Sequence, residues 1–313
     1  MSITKAEDIA YARFAAPDLG VMRGFLKEFG LKEAGMTEVE AADGFLYMRG
    51  HGPAPFLHVT EEGPARFVAL GFRLSSVADL ERLAAVEGVS VEPLDAPGGG
   101  YIVRLSDPDG HGIEAVAGQS LAETLPVELA PIWNTGDLKA RQRQTKRIAA
   151  GPAQVLRLGH GVLNVSDFRA SERWYKDRFG FITSDEIALS PDLSIGAFLR
   201  CDRGEALTDH HTLFLLQAPS GPGFNHAAFE VRDLDDLMRG HSHLALASRT
   251  QAWGVGRHIL GSQVFDYWRD PFGHTLEHWT DGDLFTAADG SNVASVPDLM
   301  GVQWGQAMPA DFG

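Results

Sequence analysis

Asp270-Pro271-Phe272-Gly273-His274-Thr275-Leu276-Glu277-His278-Trp279 has a counterpart earlier in the chain, Asp107-Pro108-Asp109-Gly110-His111-Gly112-Ile113-Glu114-Ala115-Val116, at an offset of 163 residues. Two further pairs keep the same order. Phe25-Leu26-Lys27-Glu28-Phe29-Gly30 matches Trp174-Tyr175-Lys176-Asp177-Arg178-Phe179-Gly180 at an offset of 150, read from the Phe-Gly pair. Ala69-Leu70-Gly71-Phe72-Arg73-Leu74 matches His226-Ala227-Ala228-Phe229-Glu230-Val231 at 157. Three ordered matches with slowly drifting offsets describe a duplicated unit with loop insertions.

Each copy reads as strand, helix, then strands. Leu156–Val165 is an apolar strand. Ser166-Asp167 then offers N-cap chemistry to a helix over Phe168–Phe179, which Gly180 closes. Short strands follow at Ile195–Arg200, Thr212–Gln217, Phe224–Val231 and Thr275–Trp279, with a second helix at Asp233–His243. The pattern predicts an α+β fold of tandem βαβββ modules, two per domain, each domain a curved mixed sheet around a central cavity. Gln119–Pro152 matches neither copy, and its prolines and glycines mark a linker. The expected limits are an N-terminal domain over 1–120, a linker with a short helix near Asp137–Ile148 over 121–152, a catalytic domain over 153–290 and a tail over 291–313.

Composition narrows the function. The 313 residues are 44% hydrophobic and 22% charged, as in an ordinary globular protein. A net charge of −15 argues against nucleic acid as a partner. No apolar run is long enough for a membrane helix, and the polar N-terminus is unlike a signal peptide. The single cysteine, Cys201, excludes an internal disulfide and fits a reducing cytoplasm; it reads as a small core residue. Lys139 to Arg147 reads as a solvated basic run.

Chemistry concentrates in three strings of the second copy: Gly159-His160-Gly161, Phe224-Asn225-His226 and His274-Thr275-Leu276-Glu277. Each lies in a strand-like run. His160, His226 and Glu277 together offer two imidazoles and one carboxylate, the ligand set of a mononuclear non-haem Fe(II) site with open positions left over. In the first copy the repeat offsets place Ala10 and Ala69 at the two histidine positions, and only Glu114 remains. One carboxylate cannot hold Fe(II), so the first copy reads as a folding partner. His274 has its counterpart in His111 and reads as structural. His241, His243 and His278 read as surface or supporting residues, and Trp253 and Trp304 as core packing or pocket walls, with core preferred.

At these residues the chain resembles the two-domain type I extradiol ring-cleavage dioxygenases of the vicinal oxygen chelate superfamily. The resemblance implies that His160, His226 and Glu277 bind the metal. It also implies three catalytic residues. One is the second histidine of His210-His211-Thr212, fifteen residues before His226. The others are His258, in Gly256-Arg257-His258, and Tyr267, in Asp266-Tyr267-Trp268-Arg269-Asp270-Pro271. Asp266 departs from the family pattern, which has an aliphatic residue or Phe there. By this resemblance, His211 would donate a hydrogen bond and a proton to activated oxygen, while His258 and Tyr267 would position the substrate hydroxyls.

The expected protein is a cytoplasmic dioxygenase of aromatic catabolism that opens a substituted catechol with O2. Fe(II) is its expected cofactor, with Mn(II) possible on the same ligands. Its expected partners are a small aromatic diol and copies of itself. Two other readings stay open: a glyoxalase-like metal enzyme of the same superfamily, and a non-catalytic protein that binds small aromatics. Arg257 could meet a substrate carboxylate or lie exposed. The tail could cover the site or contact another subunit.

Overall fold

A computed structural model describes residues 2–35, 44–129, 131–310 and 312. The N-terminal half runs β1 (Ala6–Ala16), α1 (Leu19–Phe29), β2 (Lys32–Glu33), β3 (Phe45–Arg49), β4 (His58–Glu62), β5 (Arg66–Leu74), α2 (Val77–Glu87), β6 (Glu92–Pro93), β7 (Tyr101–Ser106) and β8 (Gly112–Ala117). The C-terminal half begins with β9 (Val155–Asn164), α3 (Phe168–Phe179), β10 (Ile182–Ser190), β11 (Leu193–Arg200), β12 (Thr208–Asp209) and β13 (Leu213–Leu216). It continues with β14 (Gly223–Val231), α4 (Leu234–Leu246), β15 (Gln251–His258), β16 (Val264–Arg269) and β17 (Thr275–Thr280). The last elements are β18 (Leu284–Phe285), β19 (Asn292–Ser295), α5 (Val296–Met300) and β20 (Val302–Gly305).

The two sheets share one plan. The first has the order β2-β3-β4-β1-β5-β8-β7-β6. The second has β10-β11-β13-β9-β14-β17-β16-β15, with β19 and β20 added at its edges. In each, two βαβββ modules meet at an antiparallel pair, β1 with β5 and β9 with β14. Each member of that pair has a parallel neighbour on its outer side: β4, β8, β13 and β17. The architecture is α+β and mostly sheet.

Local chemistry explains the elements. The Asp167 side chain accepts from the Ala170 amide, and Gly180 closes α3 at a φ of 65°. Asp18 and Gly30 do the same for α1. The two Asp-Pro-x-Gly-His turns are built alike. Asp107 accepts from the amides of Asp109 and His111 and from His111 Nδ1, and Asp270 accepts from Phe272, His274 and His274 Nδ1. Both histidines are therefore structural.

One apolar core runs through both halves. Phe29 of α1 meets Phe229 of β14 edge-on, with ring centroids 5.6 Å apart, and stacks on His278 at 3.9 Å. His278, read from sequence as a surface or supporting residue, is fully buried, and its Nε2–H donates to the Phe29 carbonyl. The helix expected near Asp137–Ile148 does not form among the described residues. Its basic side chains cap backbone carbonyls instead: Arg141 donates to Ile132 and Gln144, and Lys146 donates to Pro131. With no apolar face to bury, the segment gains more from those bonds than from a helix.

Candidate metal centre and cavity

Three neighbouring strands of the second sheet carry the donors: His160 on β9, His226 on β14 and Glu277 on β17. Their donor atoms lie within 4.8 Å of one another. Glu277 Oε2 is 3.3 Å from His160 Nε2 and 3.4 Å from His226 Nε2. All three side chains are buried.

The flanking sequence has a steric reason. Gly159 sits where the β9–β14 register shifts, and a Cβ there would lie 2.4 Å from the Trp279 indole. A Cβ on Gly161 would lie 2.7 Å from Leu70 of the N-terminal half. His160 thus faces the cavity while its neighbours make room for close packing. A second shift, between Phe224 and His226, lets the consecutive Asn225 and His226 both face the cavity. Asn225 Oδ1 lies 2.7 Å from His226 Nδ1. A bond donated from Nδ1 fixes the ring and leaves Nε2 as the free donor, the usual arrangement behind a metal-binding histidine.

Electrostatics favour the ligating states. Burial would raise the Glu277 carboxyl, but hydrogen bonding to His160 and His226 holds it well below the usual carboxylate range. Burial pulls His226 down, against the pull of Glu277. A metal requires this pairing of ionised carboxylate and neutral imidazole. Glu277 Oε1 and His160 Nδ1 are buried without a hydrogen-bond partner, an unusual cost for a site with no further occupant.

The cavity also brings His211, His258 and Tyr267 to the same place. His211 packs on His160 with ring centroids 4.0 Å apart, and burial followed by the neighbouring histidines keeps it well below the ordinary imidazole range. His258 Nε2 and the Tyr267 hydroxyl are 2.9 Å apart. Burial lowers His258 to about 4. Burial and then the Glu277 carboxylate push the Tyr267 phenol well up. At neutral pH all three are uncharged.

Other residues come as findings. His210 does not line the cavity but joins it from behind. Its Nδ1 is 3.1 Å from His211 Nδ1, and its Nε2 is 2.6 Å from Asp185 Oδ2. Asp185 lies on β10, whose mixed polar and apolar sequence gave no signal. Trp253 forms cavity wall as well as core, while Trp304 is half-exposed beneath Arg257. Asp266 points away from the cavity and accepts from Trp268, Gln251 and His241. Arg257 pairs with Asp281 at 2.7 Å and does not line the cavity. Val296, Leu299, Met300, Met308 and Phe312 of the tail do. Cys201 is buried, and burial pushes its thiol far up, as expected of an inert core residue.

The first sheet corrects one position. Glu277 pairs in register with Ala228, and Ala228 with His160; Glu114 pairs with Gly71, and Gly71 with Tyr11. Tyr11, not Ala10, therefore stands where His160 stands, while Ala69 keeps its place opposite His226. The repeat offset missed by one because it was counted from the helix. The Tyr11 hydroxyl donates to Glu114 at 2.6 Å, and Arg13 donates to the same carboxylate at 2.8 Å. A phenol and a guanidinium occupy the space of imidazole and metal, and Tyr47 and Phe56 fill the rest.

Residues 157–278 match the family model described as Glyoxalase/Bleomycin resistance protein/Dioxygenase superfamily. Over nearly its whole length the chain is similar to two named proteins. Metapyrocatechase 2 of Cupriavidus necator is 29% identical over 302 residues, which span 95% of this chain and 88% of that protein. The iron-dependent extradiol dioxygenase of Rhodococcus jostii (strain RHA1) is 26% identical over 293 residues, 88% of this chain and 89% of that one. Among solved structures, the Mn(II)-bound glyoxalase from Novosphingobium aromaticivorans superposes with a TM-score of 0.79 at 22% identity, over 99% of this chain and 95% of that one. Homoprotocatechuate 2,3-dioxygenase from Arthrobacter globiformis gives 0.75 at 21% identity, over 95% and 86%.

Proposed function

We propose that this chain is an Fe(II)-dependent extradiol dioxygenase that opens a catechol ring with O2, its catalytic half lying within residues 153–290. The observation that carries the reading is the convergence of His160, His226 and Glu277, the two histidines lining a cavity whose adjoining walls present His211, His258 and Tyr267. The similarity of the whole chain to two proteins named as catechol-cleaving and extradiol enzymes supports it. The ligand set also suits Mn(II).

Three ligands on one face leave room for both oxygens of a diol and for O2. The bound metal would supply the Lewis acidity that acidifies the diol and the redox chemistry that O2 requires. The chain's own residues do the rest. Tyr267 and His258, held together, orient the substrate hydroxyls by hydrogen bonds at the Tyr oxygen and the imidazole nitrogen. In the tautomer in which His210 donates from Nε2 to Asp185 and accepts at Nδ1, the His211 Nδ1–H donates to it. In that tautomer His211 Nε2 carries no proton. It can take one from a substrate hydroxyl and return it later, a transfer worth typically ~10²–10⁴-fold in rate. The apolar walls exclude water from the reacting end.

The test is oxygen uptake by Fe(II)-loaded protein over a panel of plain, alkyl-, aryl-, hydroxyl- and carboxyl-substituted catechols, with the visible spectrum followed. The expected result is one O2 consumed per catechol and a yellow ring-opened product. No uptake on any catechol, with the metal bound, would sink the reading and favour a glyoxalase-like isomerase or a binding protein, neither of which consumes O2.

A further inference from the structure

The cavity above the three donors has a volume of about 690 Å³. That is far more than a single diol ring fills, and it lies within the roughly 300–1,000 Å³ of pockets that enclose drug-sized ligands. Its lining among the described residues contains no lysine, arginine, aspartate or glutamate. On the side away from the histidines the wall is hydrocarbon. Phe198 and Phe214 stack at 4.0 Å, with Ile195, Leu216 and Leu260 beside them and Leu299 of α5 above. Leu189 and Leu193, at the tip of the β10–β11 hairpin, carry the apolar lining out to solvent at 58% and 51% exposure.

Asn164, Gln217, Ser220, Asn225 and Gln263 of the lining include one buried donor without a partner, Gln263 Nε2, but no cation. Asn225 donates to Asn164, and Asn164 to Ser220, a chain of neutral groups that cannot neutralise a buried anion. Arg257, the cation nearest in sequence to His258, is committed to Asp281 and the Ser262 carbonyl. A carboxylate on the substrate would leave water without finding a cation, which is strongly unfavourable. A hydrocarbon substituent would bury its surface against these side chains, which is favourable in proportion to area.

We propose that the substrate is an uncharged catechol bearing a bulky hydrocarbon substituent, an alkyl chain or a second ring, and that the cavity selects against carboxylated catechols. This rests on the ring-cleavage reading above, and the experiment separates the two. Fe(II)-loaded enzyme is assayed with butylcatechol, phenylcatechol and dihydroxyphenylacetate. In parallel, phenylphenol and hydroxyphenylacetate, monophenols that cannot undergo extradiol cleavage, are titrated against the protein under anaerobic conditions. Binding is read from quenching of Trp253 in the wall, with Trp253→Phe as the signal control.

The expected kcat/KM for butylcatechol or phenylcatechol exceeds that for dihydroxyphenylacetate by at least about 100-fold, because the carboxylate stays unpaired. Whichever of the two is faster identifies chain or ring. Phenylphenol binds more tightly than hydroxyphenylacetate by a similar factor. Ile195→Arg and Leu299→Arg each place a cation in the wall and shift the preference toward dihydroxyphenylacetate by at least about tenfold. Equal or better turnover of dihydroxyphenylacetate by the parent enzyme overturns the proposal and leaves ring cleavage standing. Preferential binding of phenylphenol with no catechol cleaved supports the cavity's selectivity and sinks the ring-cleavage reading. Equal binding of the two monophenols overturns the selectivity.

Discussion

Glu277 touches both histidines of the candidate centre, and its second oxygen has no partner. Alanine at that position removes the only negative charge among the three donors and leaves two neutral imidazoles. Glu277→Ala is expected to bind less than about a tenth of the metal of the parent protein, by elemental analysis after dialysis; full occupancy would remove Glu277 from the ligand set. His211 stands differently, packed on a ligand but bonded outward to His210. His211→Phe keeps the ring volume and removes the proton acceptor. It is expected to retain metal and anaerobic catechol binding while kcat falls by about 10²–10⁴-fold, and unchanged turnover would exclude His211 from proton transfer. The residues found from sequence were those with a repeat partner or a motif neighbour. Asp185 had neither and is placed only by the tertiary path from β10 to His210, while Asn225, although next to His226 in its string, takes its role from the bulge in β14.

Among the elements, β9 and α3 were legible because their signals are local: an apolar run, an aspartate cap and a terminal glycine. β10, β15 and β16 were not read as strands, since their side chains pack on the cavity, a helix and an edge strand at once, which breaks simple alternation. The expected linker helix does not form among the described residues because the segment spends its basic side chains on capping carbonyls. The tail lacks periodicity, yet Ser295 and Asp298 form a reciprocal capping box and Pro297 lies in the first turn of the short α5, a local signature on an element too short to show a period. β9 also carries a prediction. A methyl group on Gly161 would sit 2.7 Å from Leu70 and 3.4 Å from Ile9, in the core between the halves. Gly161→Ala is expected to lower unfolding stability by about 1–3 kcal/mol, measured by urea denaturation. Because β9 also carries His160, metal affinity is expected to fall in the same variant. A variant as stable as the parent would show that the sheets separate there without strain.

The whole molecule is held by a core common to both halves, and that core contains ionisable groups. His58 of β4 is fully buried in it, stacked on Phe14 at 4.8 Å, with its Nε2 unpartnered. Phe14 in turn meets His274 of the second half at 4.8 Å. Burial lowers His58 from 6.5 to about 3, with Asp270 pulling weakly the other way. The folded chain therefore keeps His58 neutral where the unfolded chain protonates it. The unfolded state binds the extra proton, so stability from this residue is complete above pH 6.5 and falls as pH drops toward 3. Between pH 7 and pH 5 the loss is about 2 kcal/mol, from 1.36 kcal/mol per unit over the part of the window below 6.5. His58→Leu removes the titration and keeps an apolar side chain against Phe14. With metal chelated in both proteins, so that release of a ligated ion does not contribute, urea midpoints at the two pH values are expected to differ less in His58→Leu than in the parent. Multiplied by the measured m-value, the difference of differences should be close to that same free energy. Parallel acid losses in the two proteins would mean that His58 takes up its proton without leaving the core, and that the seam between the halves is open to water.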